Sequence, residues 1–151
     1  MTPPRPLTVQ ALVDRGRLER IAVDLEAAWR HVDDAEDLIA DLPNLTRDKT
    51  RHDTAYEAAV HAVMAHLAAD GVRLKSGPGH HAALASYARA VFVEPAVIAA
   101  AAAGFDRMRK DRARSWYDAA PVTAQQAQWA AQQAGHLLTH VRDSLPRRPR
   151  S

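Results

Sequence analysis

Pro95-Ala-Val-Ile-Ala-Ala-Ala-Ala-Ala-Gly104-Phe-Asp-Arg-Met-Arg-Lys-Asp-Arg112-Ala-Arg-Ser-Trp-Tyr117 is the stretch on which the fold turns. On a wheel of about 100° per residue, Ile98, Ala101, Phe105 and Met108 form one apolar stripe, and Pro95 suits a first turn. The spacing predicts a helix from Pro95 to about Ser115. Alanine is abundant along the whole chain and the β-branched clusters that strands need are missing, so the fold class expected is all-α.

The second half of this helix is basic: Arg107, Arg109, Lys110, Arg112 and Arg114 stand against Asp106 and Asp111. Arg112 continues the apolar stripe, Arg109 and Trp116 flank it, and Arg107, Lys110 and Arg114 point to the other side. A guanidinium on the line of a buried stripe has to be paired or has to open onto a polar groove, because isolated buried charge is too costly. Two readings of Arg112 therefore stand. It is a ligand for phosphate or RNA, or a stabiliser of developing negative charge. Otherwise it pairs with an acid of another helix or of a second subunit.

Working outward, a short helix is expected from about Thr8 to Asp14, stopped by Gly16. A second, from about Val23 to Asp41, carries Leu25, Trp29, Val32, Ile39 and Leu42 at helical spacing and ends at Pro43. A third, from about Thr46 to Asp70, has Tyr56, Ala59, Val60, Val63 and Leu67 on one stripe, with Gly71 as a left-handed cap. These two long helices should form an antiparallel hairpin. Gly77-Pro-Gly79 breaks the chain before a helix from His80 to Val93, with Leu84, Tyr87 and Val91 inward. The last helix opens on the capping box Thr123-Ala-Gln-Gln126 and reaches about Ser144. One domain is expected over residues 8–145, with tails 1–7 and 146–151 disordered, the second of them basic.

Composition narrows the chemistry. The chain has 151 residues and no cysteine, which removes disulfides, thiolate metal sites and a cysteine nucleophile and fits a reducing cytoplasm. The N-terminal residues have no signal-peptide pattern. The longest apolar run, Ala96 to Ala103, falls far short of the roughly 20 residues a membrane span requires. Net charge is only +2 but uneven. Between Leu18 and Asp41 lie eight acids against Arg20 and Arg30, so one helix is acidic while that of Arg112 is basic.

Phe105-Asp-Arg-Met-Arg-Lys-Asp-Arg-Ala-Arg-Ser-Trp-Tyr117, followed by Asp118 and Pro121-Val-Thr, resembles the signature helix of small bacterial HEPN proteins, in which an Arg is followed by Asn and, four to six residues on, by a His or Tyr. Arg51-His-Asp-Thr-Ala-Tyr56-Glu-Ala-Ala and Ser76-Gly-Pro-Gly-His-His81 are similar to the helix and loop that precede it. The likeness spans most of residues 17 to 145. It implies an antiparallel bundle of four to five helices, here with a short extra N-terminal helix. It further implies a homodimer joined through the signature helices, and an origin in toxin–antitoxin or defence systems, often beside a nucleotidyltransferase. Active members of that family are metal-independent ribonucleases.

By the resemblance, Arg112 matches the signature Arg and Tyr117 stands at the His position, while Ala113 replaces the Asn. A phenol does not trade its proton at neutral pH as imidazole does, so weak or absent nuclease activity is expected. Arg107, Arg109, Arg112, Arg114 and Trp116 are the candidate RNA or anion ligands, with Arg112 and Tyr117 the catalytic pair if there is one. RNA or a nucleotide and a nucleotidyltransferase are the candidate partners. An active ribonuclease toxin and a non-catalytic helical adaptor are the alternatives.

Eight histidines raise a metal question. His136 and His140 lie one turn apart and His80-His81 sit at a helix start, but a third ligand and the Glu of a HExxH motif are missing, so no metal and no cofactor are assigned. His61 and His66 are expected on a partly exposed flank, and Tyr87 and the tryptophans as core or interface anchors. Gly77-Pro-Gly79 lacks the strand and the Lys-Ser/Thr of a phosphate loop.

Overall fold

The computed structural model describes residues 7–150. Six helices, α1 (Val9–Asp14), α2 (Leu25–Asp41), α3 (Asp48–Ala69), α4 (His80–Val91), α5 (Ala96–Tyr117) and α6 (Ala124–Ser144), follow one another along the chain. Each expected helix is present, with ends displaced by no more than about two residues, as helix termini generally are. The caps explain the boundaries. Thr8 Oγ1 accepts from Ala11 N at 3.0 Å and Asp24 Oδ1 from Ala27 N at 2.9 Å. The capping box of α6 is complete, with Thr123 Oγ1 accepting from Gln126 N at 3.0 Å and Thr123 N donating to Gln126 Oε1 at 2.8 Å.

α3 is the axis of the bundle. It packs against α2 on one side and α6 on another and also touches α4 and α5. Its sequence explains the position, since His52, Ala55, Tyr56, Ala58, Ala59, Ala62, Val63, Ala65 and Leu67 are all buried and together occupy most of the helix circumference. A helix apolar nearly all round has to lie inside, and alanine at so many of these positions lets neighbouring backbones come close. The core adds Val32 from α2, Leu84 and Tyr87 from α4, Phe105 and Met108 from α5, and Leu137 and Val141 from α6.

The fold is mostly helical, as expected, and carries one small sheet besides. Leu18–Arg20 (β1) and Val72–Leu74 (β2) pair antiparallel, with Leu18 opposite Leu74, Glu19 opposite Arg73 and Arg20 opposite Val72. Leu18 and Val72 face the core, and the half-buried Glu19 and exposed Arg73 form an ion pair of 2.9 Å. Three-residue strands lie below any periodicity signal, and only the tertiary fold brings them together. Gly71 makes the pairing possible. Its φ is +70°, as the left-handed cap requires, and a Cβ there would stand 2.9 Å from the Ile21 carbonyl oxygen.

The described residues near the chain ends make contacts with the bundle. Leu7, placed in the tail by sequence, packs partly against the core, whereas the rest of the expected N-terminal tail lies outside the described residues. The basic C-terminal segment lies along α2: Pro146 O accepts from Trp29 Nε1 at 3.1 Å, Arg148 pairs with Asp33, and its guanidinium stands 5.1 Å from the Trp29 ring. Arg142 adds a 3.1 Å pair with Glu36. Glu36 and Asp33 of α2 thus find partners in α6 and the C-terminal segment rather than in the basic part of α5. Among the described residues, no helix is long and apolar enough to cross a membrane.

Candidate functional site

The apolar stripe of α5 is as expected over Ile98, Ala101, Phe105 and Met108, but its deepest line then passes through Asp111 and Ser115, leaving Arg112 at the edge of the buried face. This one-residue shift decides the fate of the arginines. Arg109 and Lys110 pair with Asp106 at 2.8 and 3.3 Å, and Arg114 pairs with Asp111 at 3.3 Å. Burial alone would raise the Asp106 carboxyl, but the hydrogen bonds and charges of Arg109 and Lys110 outweigh it and hold it below the usual range. Arg112 has no carboxylate partner among the described residues. Its guanidinium stands 5.7 Å from the Tyr56 ring and 5.3 Å from that of Trp116.

Arg112 opens onto a cleft of about 410 Å³ lined by Tyr56, His81, Arg109, Ala113, Trp116 and Tyr117. Two adjacent helices frame it. α3 supplies Tyr56, whose ring stacks on Phe105 of α5 at 5.4 Å, and α4 supplies His81 from its first turn. Tyr56 Oη and His81 Nδ1 are 2.8 Å apart. Burial pushes the Tyr56 hydroxyl up to about 12, against the pull of Arg112 and Arg109, so it keeps its proton at neutral pH. His81 is shifted below its ordinary value, first by burial and then by the Arg112, His80 and Arg109 charges. Either the Tyr56 hydroxyl donates to Nδ1 and the proton of neutral His81 rests on Nε2, or Nδ1–H donates to Tyr56 Oη and Nε2 is left as the free base.

Trp116 is held from three sides. Its Nε1 donates to Asp53 Oδ2 at 3.3 Å, Lys49 Nζ stands 4.9 Å from its ring, and Arg112 covers it as well. Beneath lies His52, fully buried, with neither ring nitrogen partnered among the described residues; Asp53 Oδ1 and Asp111 Oδ2 are likewise unpartnered. Burial holds His52 below its ordinary value, opposed by Asp111 and Asp53. Polar groups of this kind, desolvated and unsatisfied, are costly and uncommon in a purely structural core.

Of the residues named from sequence, Arg109, Arg112, Trp116 and Tyr117 therefore share one cleft. Tyr117, the last residue of α5, is 88% exposed at its rim. Arg107 and Arg114 do not join them. Arg107 lies over Trp129 at 5.7 Å, on a separate concavity with Thr123 and Gln126, and Arg114 is exposed.

Lys49, His52, Asp53, Tyr56 and His81 escaped the sequence reading as site residues. The first four carried a signal, because positions 49, 52, 53 and 56 share one face of α3 and form a polar line leading into an apolar helix. His81 carried none, since only the α3–α4 packing sets it on Tyr56.

The other histidines separate clearly. His61 and His66 are half-buried, in line with the partly exposed flank expected, and His66 Nδ1 is 2.6 Å from Tyr87 Oη, which donates to Asp70 Oδ2 at 3.1 Å. His136 is exposed, and His140 packs edge-on to Phe92 at 5.7 Å. No known protein family matches the chain, and neither curated proteins nor solved structures include one similar to it.

Proposed function

We propose that the chain is a HEPN-type helical domain of a toxin–antitoxin or defence system that acts in the cytoplasm and binds single-stranded RNA or a nucleotide through the Arg112 cleft. The observation that carries this reading is a guanidinium with no carboxylate partner, half-buried between two aromatic rings at the mouth of a 410 Å³ cleft. A planar cation set beside exposed Trp116 suits a phosphate together with a stacked base. Lys49 and Arg109 add positive potential along the same edge. The exposed Trp116 and Tyr117 support a homodimer that extends this cleft, and a nucleotidyltransferase is the proposed partner enzyme.

Fluorescence anisotropy with a labelled single-stranded RNA tests the proposal. If about four phosphates are engaged, log affinity falls against log salt with a slope near −3. A flat response, or unchanged affinity in Arg112→Ala, overturns it. Light scattering tests the dimer, expected at twice 16.5 kDa.

His81 favours a second reading, a metal-independent ribonuclease. The sequence offered only Tyr117 at the histidine position of the signature, yet an imidazole stands in the same cleft, supplied by α4. There His81, in the tautomer that donates Nδ1–H to Tyr56 Oη, would take the proton of a 2′-hydroxyl at Nε2 as that oxygen bonds to phosphorus and the 5′-oxygen leaves with a proton from water, with Arg112 neutralising the charge that develops. RNA cleavage in the presence of a chelator, lost in both Arg112→Ala and His81→Gln, supports this reading. Intact RNA at all protein concentrations leaves binding alone.

A further inference from the structure

The seam between α2 and α3 gathers His31, Asp34 and His61, whose ligand-capable atoms all lie within 4.8 Å of one another. His31 Nδ1 and His61 Nδ1 face each other at 2.9 Å, and Asp34 Oδ2 stands 3.9 Å from His61 Nδ1. His31 and Asp34 are separated by one helical turn on α2, so both project from one face toward α3. The rings are tilted by 37° with centroids 5.2 Å apart, so they meet through their nitrogens without lying parallel.

The proton inventory leaves this cluster incomplete. Two neutral imidazoles meeting Nδ1 to Nδ1 share a single N–H, and 3.9 Å is too long for a hydrogen bond from His61 to Asp34. Three electron-pair donors thus converge on a space that holds one proton. We propose that His31, Asp34 and His61 form a binding site for a divalent transition-metal cation of the zinc class.

Two imidazoles and a carboxylate are the donor set that such cations prefer over magnesium or calcium. Metal–nitrogen bonds of about 2.0–2.1 Å in a tetrahedron set the two nitrogens roughly 3.4 Å apart, so the rings need to separate by only a few tenths of an ångström. His31 and His61 are half-buried and Asp34 is exposed, which leaves a route for the ion. Both rings also line a cavity of about 230 Å³ together with His80 and His81, where a fourth ligand has room. The acidic surface of α2 favours cation approach.

The test uses the full chain without an affinity tag, stripped with EDTA and titrated with zinc against a chromogenic chelator. One zinc per chain is expected, with affinity falling at least about a hundredfold in His61→Ala and His31→Ala and roughly tenfold in Asp34→Asn. His136→Ala, which removes an exposed histidine elsewhere, should change nothing. Circular dichroism shows whether each variant remains helical. If a histidine variant loses its helix, nitrogen-15 NMR of the wild type decides, because zinc must then move the Nδ1 resonances of His31 and His61 to metal-bound values. Absence of saturable zinc binding, full affinity in a folded His61→Ala, or loss on His136→Ala would each overturn the proposal.

Discussion

Two tyrosine–histidine pairs join α3 to α4, and they differ in what stands behind them. Tyr87 and Tyr56 are both almost wholly buried, and each hydroxyl lies within hydrogen-bond distance of a histidine Nδ1, His66 at 2.6 Å and His81 at 2.8 Å. The Tyr87 hydroxyl donates to Asp70, so His66 must supply the proton of its own bond and the chain of partners closes on a carboxylate. Burial, reinforced by the Asp70 charge, raises the Tyr87 hydroxyl above its ordinary range. Tyr56 has the opposite neighbours: Arg112 and Arg109 pull its hydroxyl down against burial, and its histidine stands at the open mouth of a cleft. The same pair of residue types is a structural clasp where an acid closes it and a candidate site where a cation and a cavity leave it open.

Removing one hydroxyl from each pair should separate the two roles. Tyr87→Phe keeps the ring but removes the hydroxyl's bond to the Asp70 carboxylate and leaves the half-buried His66 N–H without its acceptor, and is expected to cost about 2 kcal/mol in urea unfolding. Equal losses for Tyr87→Phe and Tyr56→Phe would erase the distinction. Arg112→Ala should show the converse pattern, with RNA affinity at least about tenfold weaker, or about 1.4 kcal/mol. Its unfolding midpoint should change little, because the lost cation–π contacts are worth only about 0.5–1 kcal/mol each at sites of this kind.

The histidines give a third test, in pH. His52, His66 and His81 are all held below the ordinary 6.5, each chiefly by burial. A base whose folded value is depressed is protonated first in the unfolded chain, so ∂ΔG/∂pH is positive between the two values. Stability should therefore be complete above 6.5 and decline as pH falls below it, which urea midpoints measured over that range will show. His66→Gln should flatten the decline more than His81→Gln, since His66 is the more deeply enclosed. The smallest effect is that of Tyr56→Phe, under about 1 kcal/mol of stability, since its partner His81 can turn to water in the cleft.

Much of the fold was legible because it rests on local rules. The caps at Thr8, Asp24 and Thr123, the left-handed Gly71 and the apolar stripe of α5 are written within single turns of chain. The β1–β2 pair was not legible, because residues more than fifty positions apart supply three residues each. For the site, wheel geometry named Arg109, Arg112 and Trp116 correctly as neighbours. It could not tell which arginines lack an acid, since Asp106 and Asp111 select Arg109, Lys110 and Arg114 by rotamer and reach.

By itself the sequence determined the helices and which face of each is apolar, since periodicity and capping act over a few residues. Tertiary structure alone decided which polar groups meet. Packing of α3 against α4 and α5 placed His81 and Tyr56 beside Arg112, and packing of α3 against α2 placed His61 beside His31 and Asp34. The physical reason is that a helix presents several faces of similar polarity, and their pairing follows from how the alanine-rich core closes around α3.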